Sequence, residues 1–404
     1  MHVTRDVIIV LGQRYQSMIG QGETPFYVFD ESEVRRRIRS LREALPEDTV
    51  LCYAMKANPF ILEAACREAE FLEVCSPGEY RICQKNSIPH GRLTISGINK
   101  DPAHMRELIS SPSKIHRFTV ESAEQFALLE SLAQEMDVRI PVLLRITSGN
   151  QFGMDASAAK QLMSGHRNKP HIDFRGIQFF SGTQKSSASR ITRELEKLDK
   201  LIESIGRECG AEVLELEYGP GLPVDYSEQD GARRSARDRE YLGALRTSLS
   251  SLRFNGTVIL EMGRAMAASC GTYVTTVIDT KVNRRHSYAI VDGGRHQISY
   301  YGHELALTPP VCHAVPTRHA AEPAIWTVCG SLCTSNDILI KQFGGSDLAI
   351  GDRLVFPNAG AYCMTEGISL FLSRDLPRIY LTDASGEMRL IRDRIPTDPI
   401  NAFQ

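Results

Sequence analysis

The chain lacks an electrostatic bias. Its 47 lysines and arginines almost cancel 49 aspartates and glutamates, for a formal charge of −2. Without a basic surplus there is no footprint for nucleic acid or an anionic membrane, so the expected partners are small molecules or other proteins. It also lacks any CxxC pair. Ten cysteines are scattered along the sequence, and Cys329 and Cys333 have no second pair nearby, which argues against a structural zinc site; no metal is expected. Reduced thiols fit a cytoplasmic protein. No apolar stretch is long enough to cross a bilayer, and the opening MHVTRDVIIVLGQRYQ has neither a proper apolar core nor a small-residue cleavage site. Internal repeats and low-complexity segments are absent too. The single tryptophan, Trp326, sits in a β-prone run and is expected to fill a core.

What the chain does have is length and order. At 404 residues and 42% hydrophobic content it can build one large core and a smaller one. After the β-rich TPFYVFD (24–30), DESEVRRRIRSLREALP places Val34, Ile38, Leu41 and Leu45 at helical spacing behind an acidic start. Eight short apolar runs follow: VLCYA, FLEVC, RLTIS, HRFTV, PVLLRI, GIQFF, VLELE and TVILE, ending near Tyr53, Val74, Ser96, Val120, Ile146, Phe180, Glu217 and Glu261. Amphipathic helical stretches separate them. This alternation predicts an α/β fold, a (β/α)8 TIM-like barrel over 30–265. The run EQDGARRSARDRE (228–240) reads as a solvated helix start in one connection. Beyond Arg264 the texture changes to β-prone segments divided by Gly, Pro and Asn turns. Residues 1–29 and 266–404 are therefore expected to form a separate β domain, a sandwich or barrel.

In such barrels chemistry is done at the C-terminal ends of the strands. Lys56 follows the first strand, Glu73 ends the second, Arg145 lies near the end of the fifth, Thr183 follows the sixth, a glycine turn follows the seventh and Glu261 ends the eighth. A lone lysine at a strand end is more often an edge charge than a catalyst, but a whole ring of reactive ends is harder to dismiss. A desolvated Lys56 with a lowered pKa would suit imine formation, and so a pyridoxal 5'-phosphate site. YGPG (218–221), with Gly263 and Arg264, offers backbone N–H groups for a phosphate. Glu261 is placed to keep a pyridine nitrogen protonated.

YAMKANP, EVCSPGE, FFSGTQ, EYGPGLP, EMGR, VDGG, CGSLCTSND and NAGAY, in this order, resemble the signature blocks of the fold-type III pyridoxal-phosphate-dependent decarboxylases, the ornithine and diaminopimelate decarboxylase group. The blocks span residues 24 to about 375. QFGMD (151–155), SGTQ, IVDGG, LCTSND and NAGAY look most like decarboxylases of natural-product pathways, among them the glutamyl-carrier-protein decarboxylase of butirosin biosynthesis and siderophore decarboxylases. The resemblance implies an imine between Lys56 and the cofactor, Glu261 on the pyridinium nitrogen, and Gly219, Gly221, Gly263, Arg264, Thr183 and Tyr362 around the phosphate. It places Arg145 and Glu73 near the ring. It further implies a homodimer in which the β domain of the second subunit brings Cys333 to protonate the α-carbon, with Asp337 ordering that interface. The implied substrate is an amino acid, free or tethered to a carrier protein.

The sequence departs from the group's pattern in three places. Phe180 stands where a histidine usually stacks on the ring; it preserves stacking and loses the polar handle. Pro220 removes one N–H donor from the phosphate turn. Thr334 follows Cys333 where diaminopimelate decarboxylases carry glutamate, which argues against their substrate. His296 and His303 reach the substrate or are ordinary surface histidines; both readings stay open. Two rivals also stay open: a racemase on the same architecture, against which Glu261 speaks, and an inactive decarboxylase-like binding protein, against which Lys56 speaks.

Overall fold

The computed structural model describes residues 22–166, 169–228, 230–300, 309–318 and 324–403. His303 lies outside them. The chain divides into two compact units: Arg35–Val224 with Ala236–Met266, and Met1–Val34 with Asp225–Ser235 and Ala267–Gln404.

The first unit is a closed barrel of eight parallel strands in sequence order: β2 (Val50–Ala54), β3 (Phe71–Val74), β4 (Leu93–Ile95), β5 (Arg117–Val120), β6 (Ile140–Ile146), β7 (Ile172–Phe180), β8 (Glu215–Gly219) and β9 (Thr257–Met262). Helices connect successive strands, as a parallel ladder requires. The helix entering the barrel, α1 (Glu31–Ala44), is started by Asp30, whose Oδ1 accepts from the N–H groups of Ser32 and Glu33 at 2.9 and 3.1 Å. Val34, Ile38, Leu41 and Leu45 along it are all buried. Its exposed face carries arginines, so local pattern and burial agree.

The interior of the barrel is unusually polar. Aliphatic layers are the rule for this architecture. Here Arg117 on β5 reaches Glu215 on β8 at 2.9 Å, although those strands are not neighbours, so the pair crosses the lumen. Gln178 on β7 likewise reaches Glu261 on β9. Because side chains alternate along a strand, Glu215, Glu217 and Gly219 share one face of β8, and that face is internal.

The second unit is a nine-stranded sheet. Its main path runs β14 (Ile338–Phe343), β13 (Trp326–Cys329), β11 (His286–Val291), β10 (Gly271–Asn283), β1 (Phe26–Asp30), β16 (Arg378–Thr382) and β17 (Met388–Arg392), with β15 (Arg353–Pro357) pairing both β10 and β12 (His313–Val315). The N-terminal strand β1 is thus built into the sheet of the C-terminal region. Phe26, Val28, Val274 and Val355 form a fully buried apolar cluster against it. Trp326 is buried on β13.

Candidate active site

Lys56 is positioned by the sequence that follows it. A 3₁₀ turn over Met55–Ala57 ends β2, with Met55 and Ala57 buried and Lys56 turned outward. Asn58 caps the next turn by accepting from the Phe60 N–H at 2.9 Å, Pro59 occupies its first position, and the Tyr53 hydroxyl donates to the Asn58 carbonyl at 2.9 Å. On β3 the SPGE segment builds a related device. Ser76 Oγ accepts from the Glu79 N–H at 3.2 Å and starts helix α3 (Pro77–Lys85), while Glu79 Oε2 accepts from the Cys75 N–H at 2.6 Å. The chain is thereby turned sharply after Glu73 and Cys75.

Four groups converge at this mouth. The Lys56 ammonium is paired with Glu73 and stands 3.5 Å from Glu261 Oε1 and 3.7 Å from Cys75 Sγ. Cys75 donates to Glu73 Oε1 at 3.2 Å. The expected desolvation of Lys56 is corrected here: its side chain is 39% exposed, whereas those of Glu73 and Glu261 are 5% and 9% exposed. Burial sits on the carboxylates. It works against ionisation of Glu73, but the Lys56 charge and hydrogen bonds outweigh it and hold this carboxyl below its ordinary value. Glu261 goes the other way, pushed up by burial and then by the Glu73 charge, with Lys56 opposing.

A second cluster is made by the turns after β7 and β8. Gly221 has φ +59°, and a Cβ there would stand 2.2 Å from the Gly182 carbonyl oxygen, so this approach of two backbones requires glycine. Gly219 is paired in register with Phe180, and a Cβ on it would meet the Phe180 ring at 2.4 Å. The two turns are fastened by Gln184, whose amide bonds both the N–H and the carbonyl of Val224 at 2.6 and 2.8 Å, and by the Lys185 N–H to the Gly221 carbonyl at 3.0 Å. Beneath them Lys185, 1% exposed, pairs with Glu194 at 2.7 Å. Arg264, just past Gly263, donates from Nε to Thr183 Oγ1 at 3.2 Å. Thr183, the glycine turn and the EMGR segment are therefore one neighbourhood.

Arg145 is held from both sides. Its Nη1 donates to Glu121 Oε1 at 3.0 Å, and its guanidinium lies 4.7 Å from the centre of the Phe152 ring. Gly153 N–H donates to the other Glu121 oxygen at 3.1 Å, and Met154 N–H to the Arg145 carbonyl at 2.9 Å. QFGMD is thus a hook folded back over the end of β6. The sequence alone missed Glu121, Gln178 and Lys100. Lys100, buried in the turn after β4, donates to the Ser96 and Gly97 carbonyls at 3.0 and 2.7 Å, and burial lowers its pKa to about 8. The signal for Gln178 was available: a polar residue within the apolar run GIQFF.

The remaining site residues belong to the β unit. Cys333 is exposed in the loop between β13 and β14. Asp337 organises that loop: its carboxylate accepts from the N–H groups of Leu332 and Arg295, both at 2.8 Å, and it is 2% exposed. Burial pushes its carboxyl up. His296 is no surface residue. It is 2% exposed, and burial followed by the nearby Arg374 charge lowers its pKa to about 4, so it is neutral at physiological pH. Tyr362 has φ +65° in the turn after β15. Among the described residues no cluster of His, Cys, Asp and Glu could hold a metal ion, and no helix is long and apolar enough to cross a membrane.

An amine-bearing strand end, a buried carboxylate opposite it and a glycine cradle on one barrel define a cofactor-using barrel enzyme. Residues 31–268 match the family model described as the pyridoxal-binding domain of pyridoxal-dependent decarboxylases, and the chain belongs to that family. It is 27% identical over 405 residues to the L-glutamyl-(BtrI acyl-carrier protein) decarboxylase of Niallia circulans, covering 95% of this chain and 94% of that protein. It is 28% identical over 370 residues to the diaminopimelate decarboxylase of Vibrio cholerae, covering 86% and 85%. In fold it resembles diaminopimelate decarboxylase from Helicobacter pylori complexed with L-lysine, with a TM-score of 0.82 and 21% identity over 96% of this chain and 98% of that one.

The protein is a fold-type III decarboxylase that uses pyridoxal phosphate. Its own residues fit that group: an amine at the mouth, a buried carboxyl beside it that burial and the Glu73 charge push up, and a close approach of two backbone turns that requires glycine at position 221.

Proposed function

We propose that this enzyme decarboxylates an amino acid or an aminoacyl group tethered to a carrier protein, within a natural-product or siderophore pathway. The convergence of Lys56, Glu73 and Glu261 at one barrel mouth is the observation that carries the chemistry. The carrier-linked substrate is supported by the 27% identity to a carrier-protein decarboxylase along nearly the full length of both chains. When bound, pyridoxal phosphate supplies an electron sink for the pair left as carbon dioxide departs. Lys56 would hold the cofactor through its amine. Glu261 keeps a proton on the ring nitrogen, and Gln178 Nε2, donating to Glu261 Oε2 at 3.0 Å, keeps that carboxylate aimed. Thr183, Gly219, Gly221, Gly263 and Arg264 bind the phosphate, joined by Tyr362. Phe180 packs on the ring, and Glu73 and Arg145 border it.

Cys333 of a second copy donates the proton that replaces the carboxylate at the α-carbon, so the working form is a homodimer with shared sites. Asp337 holds the Cys333 loop, and His296 faces the substrate as a neutral base or hydrogen-bonding group. In this reading the barrel domain spans 30–265, and 1–29 with 266–404 complete the dimeric site. The ten free thiols fit a reducing, cytoplasmic setting. The test is a mass-spectrometric screen for carbon dioxide loss over free and carrier-bound amino acids, with Lys56→Ala as control. Turnover of carrier-bound substrates far above free ones is expected; turnover of free amino acids alone would overturn the tethered substrate, and full turnover by Lys56→Ala would overturn the mechanism.

A further inference from the structure

Gln178 and Glu217 stand opposite each other on the neighbouring strands β7 and β8. Both are inside the barrel, 2% and 0% exposed. Since Gln178 Nε2 is directed to Glu261, its Oε1 points away from that carboxylate. Among the described residues this oxygen has no hydrogen-bond partner, and neither oxygen of Glu217 has one. Three buried acceptor oxygens left unpaired on two residues in register are costly. Arg117 does not relieve them: it pairs with Glu215 at 2.9 Å and its Nη1 stands 4.0 Å from Glu217. A single proton on Glu217 turns one of its oxygens into a donor for Gln178 Oε1 and removes the charge from the other.

We propose that Glu217 is a carboxylic acid that donates its proton to Gln178 Oε1, so that the Gln178 amide is locked with its N–H toward Glu261. Glu217 and Gln178 are then positioning residues, acting on the cofactor only through Glu261; this step rests on the reading of Glu261 as partner of the ring nitrogen. The chain Glu217–Gln178–Glu261 holds one proton. With the amide turned as it is, the proton belongs on Glu217 and Glu261 is free to be the anion. The groups facing Glu217 are Glu215 on its own strand, Arg117 on β5, Glu261 on β9, Glu73 on β3 and Cys52 on β2. Burial, then Glu261, pushes the Glu217 carboxyl up, and Arg117 alone among these opposes it.

Infrared spectra of the cofactor-free protein at neutral pH test where the proton sits. A carboxylic-acid carbonyl band is expected in the wild type and in Glu261→Gln, and is expected to vanish in Glu217→Gln. Absence of the band, or its loss in Glu261→Gln with retention in Glu217→Gln, overturns the assignment. A second readout is stability. The folded chain keeps a proton that the unfolded chain has lost, so the wild type should lose stability relative to Glu217→Gln as pH rises from the ordinary carboxylate pKa of about 4.3 toward the raised value. In the loaded enzyme Glu217→Gln, which still offers an N–H to Gln178, should keep kcat within about threefold. Glu217→Leu should lose about ten- to a hundredfold and shift the pH profile of the cofactor absorbance. Equal damage by both variants would mean that Glu217 acts as an anion, and the proposal falls. If Glu217→Leu does not fold, the infrared and stability comparisons of Glu217→Gln decide. If Glu261→Gln leaves the ring nitrogen protonated while the infrared result holds, the reading of Glu261 fails and the proton placement stands.

Discussion

The two units hold their functional groups in opposite ways. In the barrel, each side chain at the mouth stands on a strand end and is gripped several times over: Lys56 by a turn and two carboxylates, Arg145 by Glu121 and Phe152, the glycine turns by Gln184 and Lys185. In the β unit, Cys333 is exposed on a loop held by the buried Asp337 carboxylate together with backbone and side-chain bonds to Gly293, Asp292 and Arg374. The difference teaches that the residues at the barrel mouth are fixed by strand ends and the contacts around them, whereas Cys333 is carried by a loop that Asp337 helps to latch. Rigid placement suits groups that hold a cofactor through many turnovers.

The largest effects test the division of labour. Lys56→Ala should show no measurable turnover, and Cys333→Ala should lose roughly 10²–10⁴-fold, the scale of a general acid. Mixing the two inactive variants should restore activity through hybrid dimers carrying one intact site, measured as carbon dioxide release. If the mixture stays dead, the two units of different copies do not share a site.

Next comes the latch. Asp337→Ala leaves the Leu332 and Arg295 N–H groups without their acceptor, at about 1–3 kcal/mol each. Hydrogen exchange should rise over 330–337 while barrel strands stay protected. A uniform rise through the barrel would show that the loop is no separate latch.

A smaller effect concerns pH. Glu73 has a depressed pKa in the folded chain, so its contribution to stability is fully present above the ordinary carboxylate pKa and is lost as pH falls through its lowered value. Cofactor-free Glu73→Gln should therefore show a flatter acid limb of Tm against pH than the wild type. An unchanged limb would mean that Lys56 does not hold Glu73 as an anion. The smallest effect is Ser76→Ala, which removes a helix cap and should cost about 1 kcal/mol in chemical denaturation.

Much of the barrel was legible in the sequence for a physical reason. Parallel strands buried on both faces are short apolar runs, and the eight runs end within two residues of the observed strand ends, from Tyr53 against Ala54 to Glu217 against Gly219. The strand-end rule then found Lys56, Glu73, Arg145 and Glu261. It could not find their mutual distances, which is why Lys56 was expected to be the desolvated group when the burial falls on its acidic neighbours. Interior polarity was half visible: Glu215 and Glu217 alternate in VLELE, but only closure of the barrel shows that their face is inward. His296 was ambiguous because a polar pattern beside Gly-Gly reads as surface, while the fold buries it.

The fastened turns after β7 and β8 have a further consequence. Gln184 and Lys185 tie the backbone of these turns to each other without any ligand. A phosphate entering there would need little loop ordering, so the conformational entropy lost on association should be small. Cofactor-free enzyme should accordingly reload in a single kinetic phase set by encounter, with no slower rearrangement behind it.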